Sequence, residues 1–230
     1  MYSKPQKFFA EFVGTFALIF FGAGSICADQ LLKSTNQGSL GLLGIAVAHG
    51  LAIGIMVSAV GHISGGHLNP AVTIGFWVTR RISTFGALLY WVSQLAGAVA
   101  AAYLLRAVIP EDTWRAVALG TPDLAKDFSR TAGMIVEGIM TFFLVYVVFG
   151  TAADEQGAFG KIAGFAIGLT VTMDILMGGP LTGAAMNPAR AFGPALAAQH
   201  WVNHGVYWVG PLLGGVVAGW LYDTLYLKKA

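Results

Sequence analysis

The chain has 230 residues, 56% of them hydrophobic and only 10% charged, with a formal net charge of +2. Together with a mean hydropathy of +0.70, this composition lies outside the range of soluble domains and indicates an integral membrane protein whose partner is the lipid bilayer. Charges of both signs are scattered, so no nucleic-acid footprint is present, and the single Cys27 cannot form an internal disulfide and reads as a packed side chain.

The first apolar run, residues 8–28, is too long for the core of a secretory signal and reads as a retained first span. Five more runs can cross a hydrocarbon core of about 30 Å, which takes about 20 helical residues. They fall near 40–61, 85–109, 131–152, 160–178 and 204–226. Two shorter apolar helical pieces, Pro70–Thr79 and Pro188–Ala198, are each about 15 Å long at 1.5 Å per residue and reach only halfway. Glycine-rich connections, Gly61–Leu68 and Gly178–Met186, lead into them. The expected fold class is an all-α membrane protein of six transmembrane helices plus two re-entrant half-helices.

The two halves of the chain match. Residues 90–101, YWVSQLAGAVAA, align with 207–218, YWVGPLLGGVVA, at an offset of 117, and Asn69-Pro70-Ala71 aligns with Asn187-Pro188-Ala189 at 118. Glu11 in the first span and Glu137 in the fourth are each followed by a Thr-Phe pair, Thr15-Phe16 and Thr141-Phe142. A duplicated unit of three spans enters the bilayer from opposite sides, which gives an inverted repeat. Residues 1–230 are expected to form a single channel domain, with repeats at about 5–109 and 131–226 joined by an outer loop, 110–130. Lys4, Lys7, Arg80, Arg81, Lys161, Lys228 and Lys229 fall on one side, against Lys33, Arg106, Arg115, Lys126 and Arg130 on the other. This basic excess places both termini in the cytoplasm. The short termini suggest a prokaryotic plasma (inner) membrane.

Asn is a preferred N-cap, and Pro at the first helical position has its backbone angle preset, so each Asn-Pro starts a helix. Facing its twin at mid-membrane, each start contributes the positive end of a helix dipole, roughly half a charge. An isolated Asn-Pro-Ala would merely break a helix. Recurrence at repeat-equivalent positions beside half-length helices points instead to the middle of a pore. Non-helical backbone at this depth is tolerated where it lines a wet cavity. Carbonyls of Gly65, Gly66 and His67, and of Gly183, Ala184 and Ala185, are expected to form a ladder of acceptors, with the amides of Asn69 and Asn187 donating at the centre.

The runs HISGGHLNPAVT (62–73) and GAAMNPARAFGP (183–194) resemble the two signature loops of the aquaporins, the major intrinsic proteins. The resemblance covers essentially the whole chain and implies a passive channel with one pore per subunit and a homotetramer. It places His49, Ile175, Ala184 and Arg190 at the family's outer constriction. Strictly water-selective members carry Phe, His and Cys at the first three of these places. His-Ile-Ala-Arg is instead similar to plant vacuolar intrinsic proteins and to the ammonia-permeable vertebrate subgroup, a likeness that the run DILMGGP (174–180) strengthens. Glycerol facilitators have Asp directly after the Arg, where this chain has Ala191. The resemblance thus implies water, with small neutral solutes such as ammonia or hydrogen peroxide, and exclusion of protons and ions. Ammonia-permeable plant members also use a histidine in the third outer loop, and residues 110–130 contain none.

Physically, Arg190 is a permanent cation with up to five donors, able to orient a neutral solute and repel cations. The His49 imidazole can donate or accept and is mostly neutral at pH 7. Glu11 and Glu137 are intramembrane acids, and their repeat equivalence favours a structural role, each accepting hydrogen bonds from a half-span loop. Asp174 is expected to brace the loop at Gly178-Gly179. His200 and His204 stand four residues apart, but Trp201 and Tyr207 beside them favour an interfacial belt over a metal site. His62 and His67 are expected to hold the first loop, and Gly97 with the Gly215/Gly219 pair suits close helix contacts. No nucleophile-base pair, phosphate loop or Cys/His cluster appears, so neither an enzyme nor a metal or other cofactor is expected. A coupled secondary transporter, which would saturate and carry current, and a junction protein with a closed pore share these broad features.

Overall fold

The structure, a computed structural model, describes residues 2–157 and 162–227. Every regular element among them is helical. Five helices are long and apolar enough to cross a membrane: α1 (Lys4–Ser34), α2 (Gly41–Ser64), α4 (Thr84–Val108), α5 (Arg130–Ala153) and α6 (Ala163–Thr182). The sixth, α8 (Val206–Tyr222), has 17 residues and continues through a π-helical turn, Asp223–Leu227. With that turn it is about 33 Å long at 1.5 Å per residue. Two half-length helices complete the set, α3 (Pro70–Val78) and α7 (Pro188–Ala198).

Helix starts follow local chemistry. Ser3 and Gln6 form a capping box that spans Pro5, and Ser83 and Ser129 cap α4 and α5 through their hydroxyls. Several ends lie beyond the expected boundaries. α2 runs on to Ser64 and α6 to Thr182, so Gly61–Ser64 and Gly178–Thr182 are helical rather than connecting loop. The stop comes at Gly65 (φ 94°) and Gly183 (φ 78°), whose left-handed backbone closes each helix with a bond to Gly61 O and Gly179 O. Glycines within the last turn did not end it because tertiary packing overrides their weak propensity. The expected start of the fifth span at residue 160, and Lys161, Lys228 and Lys229, lie outside the described residues.

The long helices form a ring in the order α4, α1, α2, α6, α5, α8, and the half-helices α3 and α7 fill the gap between α8 and α4. A pseudo-twofold axis relates α1 to α5, α2 to α6, α3 to α7 and α4 to α8. Gly50 of α2 and Gly168 of α6, equivalent at an offset of 118, meet on that axis. A Cβ on either would collide with the other's carbonyl oxygen. Gly97 and Gly215 likewise admit the backbones of Phe12 and Ala71, so these small residues pack helices within the chain. The start of α1 and the turn after α8 share one face with the α3–α4 connection, where Lys4 sits 4.5 Å over the Phe85 ring and Arg81 pairs with Asp223 at 2.8 Å.

Candidate functional site

The half-helices meet tip to tip. Asn69 accepts from Ala71 N at 2.7 Å, and Asn187 accepts from Ala189 N at 3.0 Å and Arg190 N at 3.2 Å, so each caps its helix through Oδ1. The amide nitrogens then cross the axis: Asn69 Nδ2 donates to Met186 O at 2.9 Å and Asn187 Nδ2 to Leu68 O at 3.0 Å. One hydrogen of each amide is therefore used to hold the opposite loop, and the second has no protein partner among the described residues. Pro70, Ala71, Pro188 and Ala189 are buried in the first turns behind these tips.

The two carboxylates of the repeat hold the loops. Glu11 accepts from Ser64 Oγ (2.6 Å), His67 N (2.9 Å), Leu68 N (2.7 Å) and Gln94 Nε2 (2.8 Å). Glu137 accepts from Thr182 Oγ1 (2.7 Å), Ala185 N (2.9 Å) and Met186 N (2.7 Å). Three bonds of each carboxylate are repeat-equivalent, and the fourth bond of Glu11, from Gln94, has no counterpart because Pro211 stands in its place. They satisfy backbone donors that would otherwise be orphaned at membrane depth, and they fix Leu68 (φ 51°) and Met186 (φ 50°) in the left-handed region. Tyr90 and Tyr207 complete each cradle by donating to Ser64 O and Thr182 O.

A narrow cavity of about 30 Å³ runs past the asparagines. Because one water needs roughly 10–15 Å³ by this measure, it has the scale of a single file. His49, Ile175, Ala184 and Arg190 all line it, with Asn69, Asn187, Gly66, His67, Ala185 and Met186. Gly65 and Gly183, expected to offer pore carbonyls, stand outside the lining because they form the left-handed turns that close α2 and α6.

The remaining wall was not singled out from sequence: Leu18, Ile53, Val57, Val72, Leu144, Val148, Ile167 and Val171. Most pair across the axis, Leu18 with Leu144, Ile53 with Val171, Val57 with Ile175, His49 with Ile167 and Val72 with Arg190. The repeat offset applied to the constriction residues would have found several of them. The pairing also exposes an asymmetry, since the polar His49 and Arg190 on the side of loop 110–130 face apolar counterparts on the other.

At that polar end, His49 Nδ1 lies 2.9 Å from Ile45 O. A carbonyl only accepts, so Nδ1 carries the hydrogen and the neutral ring presents Nε2 as an acceptor. That Nε2 and Arg190 Nε are both buried without a hydrogen-bond partner among the described residues. Arg190 Nη1 donates to Gly120 O at 2.8 Å, held out by three consecutive left-handed residues, Ala118, Leu119 and Gly120. This carbonyl was not legible in the sequence. Gly22, in the π-helical turn Leu18–Ala23, makes room for the imidazole: a Cβ there would fall 2.6 Å from His49 Cδ2.

Other expected residues divide. His67 bonds Thr73 Oγ1 at 3.1 Å and packs on Phe76 and Tyr90, whereas His62 meets only the edge of Tyr2 among aromatic rings. Asp174 does not brace Gly178-Gly179. Those glycines belong to α6 itself, and Asp174 Oδ2 is buried without a hydrogen-bond partner among the described residues. His200 bonds Asp123 Oδ2 at 3.0 Å, while His204 accepts from Trp208 Nε1 and meets Trp201 edge-on.

Comparison with known proteins decides the family. Residues 2–222 match the Major intrinsic protein family. The chain belongs to the aquaporins. It is 47% identical over 227 residues, 96% of this chain and 83% of the relative, to "Probable aquaporin TIP3-2" of Arabidopsis thaliana. It is 44% identical over 229 residues, 98% of this chain and 89% of the relative, to "Aquaporin TIP2-1" of the same plant. Among solved structures, the aquaglyceroporin from Plasmodium falciparum superposes with a TM-score of 0.83 at 25% identity, covering 97% of each chain. An aquaporin is a membrane channel for water and not an enzyme. The expectation of a prokaryotic inner membrane is overturned, because these similar aquaporins are plant proteins and point to a eukaryotic membrane. Terminal length carries no information about the cell that makes a membrane protein.

Proposed function

We propose that this aquaporin conducts water together with small neutral solutes of the size and polarity of ammonia and hydrogen peroxide, and excludes protons and ions. The observation that carries this reading is the pair of buried, unpartnered polar atoms at one end of the cavity, the acceptor His49 Nε2 and the donor Arg190 Nε. A passing molecule that both donates and accepts recovers there the hydrogen bonds it loses on leaving water. Ile175 and Ala184 supply apolar wall and width in place of further polar demands. Together the four form the selectivity filter, and the carbonyls of Gly66, His67, Ala184, Ala185 and Met186 continue the path.

Exclusion of cations rests on the permanent charge of Arg190 and on the two helix tips at the asparagines, each equivalent to roughly half a positive charge. Glu11 and Glu137 are absent from the cavity lining and serve the loops. Residues 1–230 act as one channel domain with repeats at about 5–109 and 131–226, and four copies assemble, each with its own pore. Glycerol is not a substrate in this reading, since Ala191 stands where glycerol facilitators carry Asp.

The test is rapid mixing of purified protein in liposomes, recording osmotic shrinkage, ammonia-driven internal pH change and electrical current together. Fast shrinkage with fast alkalinisation and no current is expected. Proton-coupled current would defeat the channel reading, and shrinkage with unaccelerated pH change would remove ammonia from it.

A further inference from the structure

The outer surface of the ring carries a groove between α5 and α8 with a volume of about 560 Å³. Its floor is glycine: a Cβ on Gly210 or Gly214 would collide with the carbonyl oxygens of Met134 and Gly138, so the helices touch backbone to backbone. The walls are large and exposed, with Ile139 at 50%, Leu213 at 60% and Val217 at 50%. From Thr131 to Phe143 the groove follows α5 for about 18 Å at 1.5 Å per residue. One leaflet of a hydrocarbon core of about 30 Å is about 15 Å deep.

At the end nearest loop 110–130 the groove opens into a polar pocket of about 330 Å³, sharing Met134 and Val209 with it. Arg130, Trp201, Asn203 and His204 line that pocket. Arg130 is exposed, and its Nε donates to Asn203 Oδ1 at 2.9 Å. Asn203 is held in turn by Asp123, to which its Nδ2 donates at 2.9 Å. The guanidinium is thus oriented while both Nη groups have no protein partner among the described residues. Trp201 is 42% exposed and lies shortly before the start of α8 at Val206, a span-end position of the kind at which aromatic side chains occupy the headgroup level. His204 is occupied as the acceptor for Trp208, and burial holds its imidazole below the usual value, so it adds no competing charge. A groove of similar size, about 530 Å³ between α2 and α6, has no charged residue among the described residues that line it.

We infer that the α5–α8 groove binds one phospholipid with an anionic headgroup from the leaflet on the side of loop 110–130. One acyl chain lies along the glycine floor and the phosphate meets the free Nη groups of Arg130. A planar guanidinium matches phosphate oxygens with two parallel donors, and a basic residue at an anionic membrane surface favours such lipids about fivefold. Length, charge and aromatic level all fit a single lipid.

The experiment is native mass spectrometry of the purified assembly with phosphatidylglycerol or phosphatidylcholine added, comparing wild type with Arg130→Gln, Lys126→Gln and Ile139→Trp. Wild type should retain the anionic lipid about fivefold over the zwitterionic one. Arg130→Gln should abolish that preference, and Lys126→Gln, which alters an exposed charge that lines neither the groove nor the pocket, should keep it. Ile139→Trp, which fills the groove, should lower retention of both lipids. Equal retention by wild type and Arg130→Gln would overturn the inference. So would loss of the preference with millimolar inorganic phosphate, which would mean a free-anion site, or dissociation of subunits by Arg130→Gln with lipid retention unchanged, which would mean that a second copy fills the groove.

Discussion

Arg190→Val places at the polar end of the cavity the residue type that Val72 already supplies at the pseudo-symmetric position. The substitution removes a permanent charge, one hydrogen bond of 2.8 Å to Gly120 O and a partnerless Nε from the cavity wall. A monovalent cation about 4 Å from that charge meets about 4 kcal/mol of repulsion at an effective dielectric constant near 20, or about a thousandfold in rate. The central helix tips remain, so cation leak should rise by well under a thousandfold while water permeability stays within about threefold. Loss of the charged donor leaves Gly120 O unpaired and costs about 1.5–3 kcal/mol of stability, visible as a lower Tm. The assay records current, shrinkage and glycerol entry in liposomes of equal protein density. Folded variant protein with unchanged cation and glycerol exclusion would refute the role assigned to this side chain.

Three further outcomes follow from the same geometry. His49→Phe with Ile175→His should slow ammonia more than water in paired stopped-flow measurements, and equal slowing of both would contradict the filter as drawn. Glu137→Gln exchanges one acceptor oxygen for a donor facing Ala185 N–H or Met186 N–H. An unfavourable pair of donors in this buried loop should cost about 1–3 kcal/mol and lower both Tm and water permeability; a wild-type Tm would show that the carboxylate does not hold the loop. Gly22→Ala puts a methyl carbon 2.6 Å from His49 Cδ2 and should drive the imidazole into the cavity, cutting water flux at least about tenfold by occlusion of a single file. Adding His49→Ala should restore that flux, and failure to do so would place the effect elsewhere.

Much of the site was written in residue types that act locally. Asn followed by Pro starts a helix wherever solvent or a cavity tolerates the opening, and here both copies do so with the side-chain caps that chemistry dictates. Glu11 and Glu137 were recognisable because an acid deep in an apolar run must find donors, and the half-span loops are the nearest orphaned ones. Residues of the apolar cavity wall, such as Val57 and Ile167, were not recognisable by periodicity. In a membrane helix the lipid-facing and pore-facing sides can both be apolar, so polarity does not separate them. Asp174 misled because Gly178-Gly179 look like a turn in sequence, whereas packing keeps α6 helical to Thr182.

The sequence by itself determined that this protein crosses a membrane, that it is built from an inverted duplication, and that two short helices begin at matched Asn-Pro steps. Those features depend on hydropathy, on internal identity and on backbone chemistry within a few residues, none of which needs a fold to be read. Tertiary structure alone decided that each asparagine amide crosses to the opposite loop, that Gly120 presents its carbonyl to Arg190, and that His49 keeps its Nε2 free beside Gly22. These depend on distances between residues up to 119 positions apart, and such distances exist only once the ring of helices has closed around its axis.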